Sequence, residues 1–246
     1  MDHKAVLEGF QKTYLSAPPF ILTSFQKIKS PSDTLVVYIE GDGYAWASRT
    51  EPSDDPTPKH PLAFDLATQD PSAIVVYLAR PGQFDAGGKP IISRDYWTRK
   101  RYSEEVIQAT GIAIDSLKKS LGVSKVSLVG YSGGAAVAVL VAARRTDVVA
   151  LRTVAGNLAP DVFAQLHHVS PLKGSLDPLS VASSIRAIPQ VHFVGERDMV
   201  VSRSIVETFL KELGDPGHKR LVVVEDADHL DGWVRQWESL LKKPLN

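Results

Sequence analysis

The sequence predicts an α/β domain in which a mostly parallel sheet of about seven strands is flanked by helices. Short apolar runs alternate along the chain with longer segments of helical periodicity, and each crossover leaves room for a helix. No linker, internal repeat or low-complexity tract divides the 246 residues. We therefore expect a single domain over residues 1–246, long enough to bury a large core.

The strands follow from β-branched and apolar runs that end in glycine, proline or aspartate. The stretch Phe20–Ile28 alternates enough to predict an edge strand. Further strands are predicted within "TLVVYIEGDG" and "SAIVVYLARPG", and at Lys125–Val129, Val148–Ala155, Val191–Val194 and Arg220–Val224.

Helices are predicted between these strands from apolar spacings of three and four residues. In "SEEVIQATGIAIDSLKKSLG", Ser103 marks the start of a helix and Gly122 its end. The other helices are predicted in "HPLAFDLATQD", from Ser132, at Ser204–Leu213 and at Leu230–Leu241.

One segment, about residues 158–188, has only weak periodicity and predicts a short cap over the sheet. Pro160, Pro171, Gly174 and Pro178 interrupt it, so at most two short helices fit. It follows a strand at the carboxyl edge of the sheet, which is where ligands bind in such folds.

Composition excludes several classes of function. Lys+Arg and Asp+Glu are both 28, so we expect no nucleic-acid partner, and "TRKRY" at Thr98–Tyr102 is predicted to be a solvated surface turn. The chain has no cysteine, which rules out disulfides, thiolate nucleophiles and cysteine metal sites.

No apolar run is long enough to predict a transmembrane segment. The first residues lack the apolar core of a signal peptide, so the sequence as given predicts a cytoplasmic protein. If a signal segment had been removed, the cell envelope or periplasm would be expected instead.

The stretch "VSLVGYSGG" places Ser132 between a strand and a helix. Gly130, Gly133 and Gly134 surround the serine, as expected where strand and helix approach closely and the turn residue is strained. Backbone N–H groups and the helix dipole converge at that point, which suits a nucleophile whose attack creates an oxyanion. The alternative is a tight turn with a capping serine.

The same glycines do not fit a cofactor site. A dinucleotide-binding fingerprint needs glycine where Ser132 stands, and a phosphate-binding loop needs a lysine after its last glycine. No zinc-protease helix motif is present either. We therefore expect neither cofactor nor metal.

A serine nucleophile needs a base, and His229 is the best placed of seven histidines. It follows the last strand in "VVVEDADHLDGW" and is predicted to open the final helix. His192 lies inside a strand and is predicted to be core. His167, in the cap segment, is a candidate for lining a pocket, with a surface position as its alternative.

The base needs an orienting acid. Asp198 lies just past a predicted strand in "VHFVGERDMVV", in a turn that Gly195 opens. Glu196 is one rival, and Asp226 and Asp228, in the loop before His229, are others. The order Ser132, Asp198, His229 places each group at the carboxyl end of a different strand.

This order and placement resemble the α/β-hydrolase fold superfamily, from about Leu35 to Leu241. The motifs "VYIEGDGYAW", "YLARPGQ", "LVGYSGG", "HFVGERDMVV" and "DADHLDGW" are together similar to a group of uncharacterised bacterial hydrolases often classed as lipoproteins. Cysteines common in that group, for instance where Gly82 stands, are missing here, which weakens any inference about the envelope.

The resemblance implies a catalytic triad of Ser132, His229 and Asp198. It also implies an oxyanion hole formed by the backbone N–H groups of Gly133 and Asp42. Where the superfamily commonly has His-Gly, this chain has Glu40-Gly41, and the alternative for "EGDG" is a simple turn. The carboxylate of Asp42 should point away from the site, toward the loop or Arg80.

The expected substrate is a small acyl ester or thioester, because the short cap leaves little material for a lipase lid. Tyr44 and Tyr131 are candidates for its pocket. A peptidase or acyltransferase would use the same three residues, and a non-catalytic binding protein could keep the fold.

Overall fold

The computed structural model describes residues 1–84, 92–215 and 217–246. Among them, eight strands form one sheet, and there are seven α-helices, of which α5 packs against α6 and the others pack around the sheet. The strands are β1 Gln11–Ala17, β2 Phe20–Ile28, β3 Thr34–Ile39, β4 Ile74–Leu78, β5 Lys125–Tyr131, β6 Val148–Val154, β7 Gln190–Gly195 and β8 Leu221–Val224. The helices are α1 Asp2–Leu7, α2 Leu62–Thr68, α3 Glu104–Leu121, α4 Gly133–Ala142, α5 Pro160–Leu166, α6 Arg203–Leu213 and α7 Trp237–Leu241.

The sheet order is β1-β2-β4-β3-β5-β6-β7-β8. β1 and β2 are antiparallel to their neighbours, and β3 through β8 run parallel. The chain passes from β3 outward to β4 and then returns to β5 on the other side of β3. The boundary between β3 and β5 is therefore a topological switch point, where ligands bind in open α/β sheets.

The alternation of side chains along the strands divides the core into two layers. In β3, Val37 and Ile39 face the layer that contains α3, α4 and α6, whereas Val36 and Tyr38 face the layer that contains α1, α2 and α7. All ten residues of α4 are buried, and its glycines and alanines allow the helix to lie close to the sheet. This close packing brings the start of α4 to the carboxyl edge of β3 and β5.

The predicted fold class is confirmed, and the sheet differs from the prediction in two details. It has eight strands rather than about seven, because Gln11–Ala17 forms a hairpin with β2. The sequence did not indicate that strand because it is the true edge of the sheet and only Ala17 in it is buried, so its apolar content is low. β2, predicted as an edge strand, is covered on its other side by β4.

The predicted helix ends of α3 are confirmed, since Ser103 precedes it and Gly122 ends it with a φ of 66°. The prediction for Leu230–Leu241 is wrong in its first half. Gly232, at φ 90°, interrupts the segment, and only a 3₁₀ turn at Val234–Gln236 and the short α7 follow. His229 therefore lies in a loop and does not open a helix.

The cap segment contains α5 and a 3₁₀ helix at Pro178–Ile185, which agrees with the prediction of at most two short helices. The proline- and glycine-rich loop Pro81–Pro90 is described only as far as Phe84. Within the described ranges, no helix is both long and apolar enough to cross a membrane.

Candidate active site

Ser132 lies on a strained turn between β5 and α4. Its backbone has φ 51° and ψ −119°, a conformation that non-glycine residues rarely adopt. The turn is possible because its neighbours have no side chains: a Cβ at Gly130 would be 2.5 Å from Ala135 Cα, and one at Gly134 would be 2.3 Å from Ile39 O. The hydroxyl is thereby presented at the switch point, at the N-terminus of α4.

Three side chains form a hydrogen-bonded chain at this edge. Ser132 Oγ is 3.0 Å from His229 Nε2, and His229 Nδ1 is 2.9 Å from Asp198 Oδ2. Because a carboxylate only accepts, Nδ1 carries the proton and donates it to Asp198. The lone pair of Nε2 is then free to accept the serine hydroxyl, as a general base requires.

Asp198 is held firmly for this position. Its side chain is fully buried, and Oδ1 accepts the backbone N–H groups of Val200 and Val201 at 2.8 Å each. These two bonds leave Oδ2 for the imidazole and orient the carboxylate toward it. The acid therefore adds both charge and a fixed geometry to the histidine.

The rival acids make their contacts elsewhere. Asp226 is exposed and pairs with Arg197 at 3.4 Å, and Glu196 is exposed on the same rim. Asp228 accepts the N–H groups of Leu230 and Asp231 at 2.8 Å and so organises the loop that carries His229. Of the four candidates, Asp198 is the one that the structure places against the ring.

Tyr131 supports the same loop from the strand side. Its hydroxyl donates to His229 O at 2.9 Å, and the two rings lie 5.4 Å apart between centroids. Burial raises the pKa of this phenol well above its ordinary value, so it stays a neutral donor. The sequence pointed to Tyr131 as a pocket residue but not to this tether, which depends on a partner 98 residues away.

Asp42 lies in the loop after β3, and its carboxylate is bound in a polar cluster. Its Oδ2 accepts from Arg101 Nη1 at 2.6 Å and from the Tyr102 hydroxyl at 3.2 Å, and Arg80 Nη1 lies 3.5 Å from Oδ1. Burial alone would raise the pKa of this carboxyl, but the charges of Arg101 and Arg80 outweigh burial and lower it. Arg80 was expected as a partner; Arg101 was not.

The prediction of a solvated turn at Thr98–Tyr102 is accordingly wrong for Thr98, which is buried, and for the last two residues. Tyr102 is fully buried, and the side chain of Arg101 is only 14% exposed. Arg99 does project into solvent and pairs with Asp95. Composition alone does not reveal this difference, because Arg99 faces solvent whereas Arg101 faces the interior of the protein.

A cleft of about 250 Å³ opens beside Ser132 and His229. Tyr44 and Tyr131, both predicted for the pocket, line it, and so do Asp42 and Leu230. Pro58, Lys59 and His60 form another wall, from a proline-rich loop in which the sequence indicated no binding role. These residues could have been predicted from their place in the chain, because their loop follows β3, the strand that ends at the switch point.

The prediction that His167 lines the pocket is wrong. His167 does not reach the cleft; its Nε2 is 2.7 Å from Val200 O and its ring packs 4.4 Å from that of Phe163. The cap bends toward the loop after β7, because α5 ends there and packs against α6. The side chain therefore ties the cap to the loop that holds Asp198.

The backbone N–H groups predicted for an oxyanion hole lie near Ser132. Gly133 is the first residue of α4, so its N–H has no acceptor within the helix. A Cβ on Gly41 would be 3.2 Å from Ser132 Cβ, which places the Gly41–Asp42 loop against the serine. Among the described residues, no acceptor takes the N–H of Asp42.

The described part of the chain contains no group of three His, Asp or Glu side chains that could hold a metal ion. No protein-family model matches the sequence, and no curated protein sequence matches it.

Solved structures do match. An esterase from Pyrococcus furiosus superposes with a TM-score of 0.67 at 13% identity, covering 96% of this chain and 92% of the esterase. Est1E from Butyrivibrio proteoclasticus gives 0.66 at 13% identity and 94% and 96% coverage. An α/β serine hydrolase homologue from Coxiella burnetii gives 0.63 at 15% identity and 94% and 93% coverage. The chain has the α/β-hydrolase fold.

In this α/β-hydrolase fold, Glu40 directly follows β3, and its side chain is buried. Glu40 Oε1 accepts the Gly41 N–H at 2.8 Å. Burial raises the pKa of this carboxyl to about 7, against the lowering effect of that hydrogen bond.

Proposed function

We propose that the protein is a carboxylesterase-like serine hydrolase that cleaves an acyl ester or thioester of a small substrate. The observation that carries the proposal is the chain of two hydrogen bonds from Ser132 through His229 to Asp198, built on a strained strand-to-helix turn. A capping serine needs neither the strain nor the buried acid. The likeness in fold to esterases agrees with this chemistry.

In the proposed mechanism, Ser132 Oγ attacks the acyl carbon while His229 Nε2 takes its proton. The carbonyl oxygen becomes an anion between the N–H groups of Gly133 and Asp42. The bond to the leaving group then breaks as His229 returns the proton to that group, and an acyl-enzyme remains. Water attacks the acyl carbon by the same route, releasing the acid and restoring Ser132.

The Asp198 carboxylate stabilises the imidazolium that forms in both steps. Its two backbone hydrogen bonds keep it in place as the charge on His229 changes. Neither step needs a cofactor. The small open cleft favours a compact acyl group over a lipid chain that would require a large lid.

The resemblance to bacterial hydrolases often classed as lipoproteins stays a prediction, because the three similar structures named above are described as esterases or as a serine hydrolase homologue. A peptidase or an acyltransferase would share the acyl-enzyme, and one of the similar structures is an acylaminoacyl peptidase of which this chain covers 41%. These activities are alternative outcomes of the experiment below.

The test is labelling with a fluorophosphonate together with hydrolysis of short aryl esters. Wild-type protein should label at Ser132, and Ser132→Ala should lose the label and about 10⁶ of the turnover rate. Ser184→Ala, which removes an exposed hydroxyl in the cap, is the control and should behave like wild type.

Unchanged labelling in Ser132→Ala would refute the assignment of the nucleophile. A wild-type protein that neither labels nor turns over would favour the non-catalytic binding protein. Labelling without ester hydrolysis, but with cleavage of an acyl-peptide or transfer to an added alcohol, would point to the peptidase or the acyltransferase.

A further inference from the structure

The polar cluster formed by Asp42, Arg80, Arg101 and Tyr102 contains more positive than negative charge. One carboxylate, that of Asp42, faces the two guanidinium groups of Arg80 and Arg101, and these side chains are 18%, 5% and 14% exposed. Buried charges are expensive unless partners compensate them, and removing one partner leaves the other uncompensated. The two guanidinium groups thus compensate the charge of the Asp42 carboxylate.

The guanidinium groups are themselves held by backbone carbonyls. Arg101 Nε donates to Thr98 O at 2.7 Å, and Arg80 Nη2 donates to Arg101 O. The Arg80 guanidinium also lies over the ring of Tyr102, 5.6 Å from its centroid. The cluster is therefore a rigid frame and not a pair of mobile surface side chains.

Within the cluster, Asp42 is the residue that lies next to the reacting atoms. Its carboxylate lies against Gly133, and the Gly41–Asp42 loop lies against Ser132. The backbone N–H of Asp42 is the second donor in the proposed oxyanion hole. If its carboxylate were free to turn toward the cleft, it would place a negative charge beside the developing anion.

We propose that Arg101, with Arg80, is a positioning residue of the oxyanion hole. By pairing with the Asp42 carboxylate, the two arginines keep that charge out of the cleft and the Asp42 N–H directed at the substrate oxygen. The assignment rests on the proposed hydrolase function. It makes Arg101 act on the transition state through Asp42, without touching the substrate.

If the arginines act by compensating the Asp42 charge, substitutions of Arg101 should change kcat much more than KM. Arg101→Met should lower kcat on the order of 10- to 100-fold with KM changed less than about threefold, because the anion exists only after the attack. Arg101→Lys keeps the charge and should recover most of the rate. Arg99→Met, in the same turn but exposed, is the matched control and should match wild type.

The decisive variant combines Arg101→Met with Asp42→Asn. An asparagine keeps the backbone N–H but has no charge to neutralise, so the double variant should be several-fold faster than Arg101→Met. An arginine with a merely structural role would leave the double variant as slow as the single variant, or slower. Far-ultraviolet circular dichroism and thermal unfolding establish that each variant is folded.

If Arg101→Met does not fold, Arg101→Gln takes its place, and its combination with Asp42→Asn should still fold and turn over. An Arg101→Gln enzyme with wild-type kcat, or a double variant that recovers nothing, would overturn the assignment while leaving the hydrolase intact. Wild-type protein without label or turnover would overturn the hydrolase, and this assignment with it.

Discussion

The carboxylate of Asp42 occupies the space that a side chain on Gly133 would need. A Cβ at Gly133 would lie 2.1 Å from Asp42 Oδ1 and 2.5 Å from its Cγ. Real Cβ atoms essentially never approach that closely, and Asp42 cannot move aside easily because Arg101 and Arg80 hold it. Gly133 is therefore required for two reasons: the turn at Ser132 needs it, and so does the loop after β3 that carries Asp42.

Gly133→Ala should consequently displace Asp42 and open the proposed oxyanion hole. We expect a loss of about 10²-fold or more in kcat, the scale of losing one oxyanion donor, and a decrease of about 1–3 kcal/mol in the free energy of unfolding from overpacking. Steady-state kinetics and urea unfolding measure both.

Gly111→Ala is the matched control for that substitution, because Gly111 lies within α3 and a Cβ there meets nothing within 4 Å. It should stabilise the protein by up to about 1 kcal/mol and leave kcat unchanged. Equal kinetic losses in the two variants would contradict the contact between Asp42 and Gly133.

Asp198→Asn should lower turnover by about 10⁴-fold while preserving the fold. The amide keeps one oxygen for the N–H groups of Val200 and Val201, but it no longer stabilises the imidazolium or fixes its tautomer. Asp226→Asn, at an exposed site, is the control. Turnover that survives in Asp198→Asn but falls in Asp226→Asn would reverse the choice of acid.

Glu40→Gln should stabilise the protein at alkaline pH. The folded protein holds this proton more tightly than the unfolded chain, since the pKa rises from 4.5 to about 7. The carboxyl therefore costs stability as pH rises from about 4.5 to about 7, and the full penalty, about 3 kcal/mol, applies above that range. The glutamine variant escapes the penalty.

The measurement is urea unfolding of wild type and Glu40→Gln at pH 8 and pH 5. We expect the variant to be more stable by about 1–3 kcal/mol at pH 8, and the difference should shrink to less than about 1 kcal/mol at pH 5. Glu212→Gln, at an exposed position of α6, should shift neither value. A Glu40→Gln difference that is the same at both pH values would show that the carboxyl does not titrate in this range.

Chain-length selectivity should follow from the size of the cleft. Each acyl methylene that is buried against the protein stabilises the bound state by about 0.8 kcal/mol, whereas a methylene that extends beyond the cleft adds nothing. We therefore expect kcat/KM on aryl esters to peak at about two to six acyl carbons. A peak at long chains, with a rate increase when the ester forms droplets, would indicate a lipase.

Two leucines with equal exposure test which wall the acyl group meets. Leu230 lines the cleft and Leu166 lies on α5, and each is 50% exposed. Leu230→Ala should reduce kcat/KM for hexanoate several-fold more than for acetate. Leu166→Ala should leave the ratio of the two unchanged, and a change there would place the acyl site under the cap instead.

Two predictions made from the sequence are wrong for the same physical reason. The basic run before α3 was predicted to be solvated, although Arg101 faces Asp42, 59 residues away in the chain. His167 was predicted to line the pocket because the cap was expected to cover it, whereas the His167 ring is hydrogen-bonded to the loop after β7. Each error concerns the direction of a side chain on a segment without regular periodicity.

The sequence by itself determined what depends on near neighbours in the chain. Strand and helix periods, the glycines that a strand-to-helix turn at Ser132 requires, and the positions of Asp198 and His229 after their strands are all local properties, and parallel strands necessarily bring their carboxyl ends to one edge. Only the tertiary structure decided which side chains meet there. The pairing of Asp42 with Arg101, the tether of Tyr131 to His229 and the walls of the cleft depend on loop paths, which are set by packing between segments distant in the chain.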